Sequence, residues 1–94
     1  MQFNMTRMQR DRLLAEVPGI VVPGADVLGE LYFEMGDDAR KFILLSSMCM
    51  AALKIGRHVI EWTFVERAVE NDGWSRTQMD FFVAMAELNG VWRG

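Results

Sequence analysis

One cysteine and one histidine are the chain's whole supply of the two side chains on which most thiol and transition-metal sites depend. Cys49 alone excludes an internal disulfide, and its place in an apolar run reads as a buried small hydrophobe in a reducing, cytoplasmic compartment. His58 follows Lys54 by one helical turn on a polar face, and Cys49 lies off that face, so no Cys/His nucleophilic pair is expected. Nor do one His and one Cys make a zinc site without carboxylates or a second subunit. The glycines fall at turns and caps and form no phosphate-cradling loop, and acidic pairs such as Glu66 and Glu70 are ordinary on a helix surface. Long hydrophobic runs are missing too. The longest uncharged stretch, residues 42–53, contains Ser46 and Ser47 and is far shorter than the roughly 20 residues a bilayer helix needs. The opening residues MQFNMTRMQRDRLL have neither the apolar core nor the cleavage site of a secretory signal. The expectation is a non-enzyme with no cofactor, no metal and no membrane span.

What the chain has in plenty is apolar surface. Its 94 residues suit one domain, 1–94, and 51% of them are hydrophobic, more than a domain of that size can readily hide. A homodimer is the expected outlet. The formal net charge is only −3, which gives no long-range attraction for nucleic acid or anionic lipid. The charge is unevenly spread: Asp26, Glu30, Glu34, Asp37 and Asp38 sit in a stretch without Lys or Arg, whereas the first 25 residues carry Arg7, Arg10 and Arg12.

Local signals divide the chain into helices. Thr6 to Gln9 has capping-box spacing, opening a helix to about Glu16 that Pro18 and Gly19 stop. Ile20, Val21 and Val22, between two Pro-Gly pairs, read as an extended tether or a lone β-bridge. Asp26 is the expected N-cap of a short helix to Met35 with Val27, Leu28, Leu31, Tyr32 and Met35 on its apolar face, and Gly36 ends it. A long central helix follows over 38–71, bent or broken at Gly56. Asn71-Asp72-Gly73 is a stop. Ser75 and Gln78 form a second capping box, with Trp74 placed to staple onto Met79, and the last helix runs from Arg76 to near Asn89 before Gly90. The predicted fold is all-α, a small bundle of about four helices.

Three surfaces are unusual. Leu45, Cys49, Ala52, Gly56, Val59 and Thr63 recur at steps of four and three, a seam of mostly small residues that lets another helix approach. Met48, Ile55, Trp62 and Val69 form a neighbouring stripe, and Arg57 and Glu61 are spaced for an i,i+4 ion pair. The last helix is apolar almost all round, with Met79, Phe82, Val83 and Ala86 on one side and Phe81, Met85, Leu88 and then Trp92 on another; a helix apolar on most sides is covered on most sides. The expected dimer interface is therefore Phe81, Met85 and Leu88 with Cys49, Ala52 and Gly56. Asp26, Glu30 and Glu34 share a face, where like charges one turn apart cost a few tenths of a kcal/mol per pair (~0.2–0.5). With Trp92 as an anchor they form the expected partner-binding surface.

The stretch from Ala68 to Met79, AVENDGWSRTQM, resembles the turn and second-helix start of a helix-turn-helix. That resemblance implies Ser75, Arg76 and Gln78 facing DNA. Asp72 departs from the pattern, standing where an apolar residue would pack the two helices, and Arg76 is the only cation on the helix. In size, helical character and missing chemistry the chain also resembles, as a class, the small accessory proteins of bacteriophages, among them anti-CRISPR proteins and host-takeover inhibitors. That likeness implies action by occluding a host protein. The expected function is protein binding that regulates or inhibits a partner; the alternatives are a DNA-binding regulator and a phage assembly chaperone holding an apolar client.

Overall fold

The structure, a computed structural model, describes residues 19–94. Four helices follow one another: α1 (Ala25–Met35), α2 (Asp38–Gly56), α3 (Trp62–Asp72) and α4 (Arg76–Leu88). The expected N-terminal helix over 6–16, and with it Arg7, Arg10 and Arg12, lies outside the described residues. The chain is an all-α bundle, as its periodicity predicts.

Each boundary has a local cause. Gly24, extended after Pro23, is the N-cap of α1, so Asp26 falls in the first turn and not at the cap. There its carboxylate still meets the positive end of the helix dipole. Gly36, at φ +59°, closes α1 and donates its N–H to the Tyr32 carbonyl. Gly73, at φ +68°, closes α3 in the same way on the Val69 carbonyl. The second capping box is complete: Gln78 N–H donates to Ser75 Oγ at 3.2 Å, and Ser75 N–H donates to Gln78 Oε1 at 2.9 Å.

The long helix expected over 38–71 is two helices. Arg57 turns left-handed (φ 55°, ψ 44°), and the His58 N–H returns to the Leu53 carbonyl at 2.9 Å, the double closure of a Schellman end. The His58 ring then lies over Gly56, where an added β-carbon would come within 2.7 Å of its Cδ2. Ile60 leaves the helical path because its backbone has another partner. Its N–H donates to the Val91 carbonyl and its carbonyl accepts from Arg93 N–H, each at 2.8 Å, in an isolated parallel bridge to Trp92. The small-residue seam therefore stops at Gly56; Val59 and Thr63 do not continue it. Arg57 and Glu61, separated by the break, no longer share a helical face.

At the centre stands α4, the one helix that packs against all three others among the described residues. It buries Phe81, Phe82, Met85 and Ala86, which meet Leu31 of α1, Phe42, Ile43 and Met50 of α2, Val65 of α3, and Ile60 and Val91 of the bridge. Trp74, just ahead of α4, packs edge-on against Phe42 at 5.1 Å and at a tilt against Phe82 at 5.0 Å. The tether is held by a side chain. Val21 N–H donates to Asn89 Oδ1 at 2.9 Å, and Asn89 Nδ2 donates to the Val21 carbonyl at 2.8 Å. The Asn89 amide thus acts as one residue of a strand, and the lone β-bridge lies elsewhere, at Ile60 and Trp92.

Candidate functional site

The residues expected to join two subunits separate into inner and outer ones. Phe81 and Met85 are 0% exposed within the single chain, so they have no surface to offer a second copy. The physical reason is the central position of α4: its several apolar sides are covered by three other helices of the same molecule. Leu88 is 53% exposed, Ala52 and Gly56 lie at the surface, and Cys49 is half-buried. Burial pushes the Cys49 thiol above its ordinary pKa by desolvation, which disfavours the thiolate and any nucleophilic use.

The residues of the DNA reading are committed to one another and to α1. Ser75 and Gln78 close the capping box. Arg76 Nε donates to Asp80 Oδ1 at 3.1 Å. Ser75 Oγ donates to Glu34 Oε2 at 2.6 Å. This last contact places a carboxylate at the N-terminus of α4, the position a DNA phosphate would otherwise take. Trp92 is one half of the bridge, its ring packed edge-on against Trp62 at 5.2 Å, and the cleft next to α1 does not include it.

That cleft is where unused chemistry gathers. It runs along the outer face of α1 to the first turn of α4 and is lined by Ala25, Asp26, Gly29, Glu30, Phe33, Glu34 and Thr77. Helical geometry explains the grouping. Residues 26, 29, 30 and 33 follow at steps of three and four and share one face, while Leu31 is buried on the opposite one. Asp26, Glu30 and Glu34, the carboxylates expected to bind a partner, are all exposed. Beside them projects Phe33, 95% exposed and the most exposed large apolar side chain among the described residues. Gly29, one turn before it, has open space above its backbone: a β-carbon there would meet nothing within 4 Å.

Phe33 and Gly29 were missing from the sequence-based site. The signal was present, because a wheel of α1 sets Phe33 with Asp26 and Glu30 and away from Val27 and Leu31. Among the described residues no cluster of His, Cys, Asp and Glu is arranged to hold a metal ion, and no helix is long and apolar enough to cross a membrane. No family model, curated protein or solved structure matches the chain.

Proposed function

We propose that this protein is a non-enzymatic binding module that regulates another protein by occluding part of it, with the outer face of α1 as its contact surface. One observation carries the proposal: Phe33 stands 95% exposed on the same helix face as Asp26 and Glu30. A lone exposed apolar residue needs no explanation. Here three locally unfavourable choices coincide. Left in water, a Phe side chain forgoes about 1.5–3 kcal/mol of burial. A glycine within a helix costs about 1 kcal/mol relative to alanine. The carboxylates at i,i+4 repel. Such conflicts belong where a partner resolves them. On this proposal the class likeness to small phage inhibitors is functional, and the site of action is intracellular.

The test is a photoreactive side chain at position 33, introduced in the cells that carry the protein. Illumination should trap a specific protein. The same chain with Asp26→Lys, Glu30→Lys and Glu34→Lys should keep its circular dichroism spectrum and trap nothing; unchanged trapping sinks the proposal. Self-association, on the same proposal, uses Ala52, Gly56 and Leu88, the members of the expected interface that keep solvent exposure. A clean monomer mass by light scattering at micromolar concentration removes it.

A further inference from the structure

The occupant of the α1 face has a definite chemistry, and the geometry points to it: we propose that the face receives a basic amphipathic helix. The partner would carry an apolar side chain that packs against Phe33 over the bare backbone of Gly29. This inference rests on the docking face proposed above and adds what docks there.

Charge sets the sign of the partner. Asp26, Glu30 and Glu34 line the cleft, and no Lys or Arg among the described residues lines it with them, so the complementary surface is cationic. Spacing fits its repeat. Carboxylates four residues apart on α1 recur about every 6 Å along its axis, and basic residues four apart on a second helix recur at the same interval. Backbone chemistry selects the partner's conformation. The mid-helix N–H and carbonyl groups of α1 are paired within the helix, so this face has no ladder to offer an extended strand. A helix brings its own hydrogen bonds with it. Gly29 supplies the close approach. With no side chain there and open space above it, a second helix can settle beside Phe33. Thr77, at the start of α4, bounds the other side of the cleft.

The probe is a synthetic stapled helical peptide with Arg at three positions spaced four apart and a Leu beside the middle one. Its control has the same composition with prolines that prevent a helix. Binding is read by fluorescence anisotropy at low and moderate salt. The stapled peptide should bind, and Phe33→Ala should weaken it by about tenfold. Gly29→Leu should weaken it by a similar factor while leaving the fold intact, because the substitution puts a side chain where the partner approaches and favours the helix. Two results overturn the inference. If the proline peptide binds equally well, and Asp26→Lys, Glu30→Lys and Glu34→Lys abolish it, the acidic docking face stands but its partner is not a helix. If neither peptide binds, the helix inference falls, and the photo-trapping experiment decides the docking face separately.

Discussion

α4 and the outer face of α1 are built to opposite specifications within 65 residues of chain. α4 begins with a reciprocal capping box, buries two phenylalanines and a methionine, and ends on an asparagine whose amide makes three hydrogen bonds. α1 has no side-chain cap and buries one residue, Leu31, while its aromatic Phe33 and a mid-helix glycine lie in water. Residues of α4 hold the molecule together, and on the α1 face the one hydrogen bond to another helix among the described residues is that of Glu34 to Ser75. The difference teaches where to look for a docking face in this chain. It is where local stability has been left unclaimed.

The sharpest way to break the comparison is in the core. Phe81→Ala removes a fully buried ring and should cost about 3–5 kcal/mol, enough to unfold much of the population; urea denaturation measures it. Next comes Asn89→Ala, which deprives the Val21 N–H and carbonyl of their partner. A loss of about 1–3 kcal/mol is expected, with faster amide exchange at Val21, and an unchanged midpoint would show that the tether contributes nothing. On the α1 face the sign reverses. Gly29→Ala should raise stability by about 0.5–1 kcal/mol. Phe33→Ala should move it by no more than about 0.5 kcal/mol, the smallest effect of the set. A destabilisation from Phe33→Ala comparable to that of Phe81→Ala would erase the contrast between the two regions.

The sequence made the ends of elements legible and left their orientation hidden. Gly36, Gly73 and the Ser75–Gln78 box are signals complete within four residues, and each terminates or starts a helix as read. Gly56 marked a break, but not the extended path of Ile60, because that path is decided by hydrogen bonds to Val91 and Arg93. Asn89 looked like a helix end and proved to be the clasp of the tether, whose partner is 68 positions away. The apolar girth of α4 was legible as well. Its meaning was not, since periodicity reports how much of a helix must be covered and says nothing about whether the cover comes from the same chain. For the site, the carboxylates were found by their spacing. Phe33 takes its meaning from exposure, and a wheel alone does not report which face of a helix the rest of the chain covers.

The clasp between Val21 and Asn89 also has a consequence in time. The helix on which the others converge is the last of the four to leave the ribosome, and the tether ahead of α1 closes on its far end. While α1 to α3 emerge, the α1–α2 pair is the one pair of these three helices in contact among the described residues. Contacts of such long sequence separation form slowly, because loop closure must precede their reward. The domain therefore folds after synthesis of α4, in one late step. A chain halted on the ribosome at residue 75 should be cleaved readily by protease, and one extended well beyond Asn89 should resist; protection of the shorter chain would contradict this order of events.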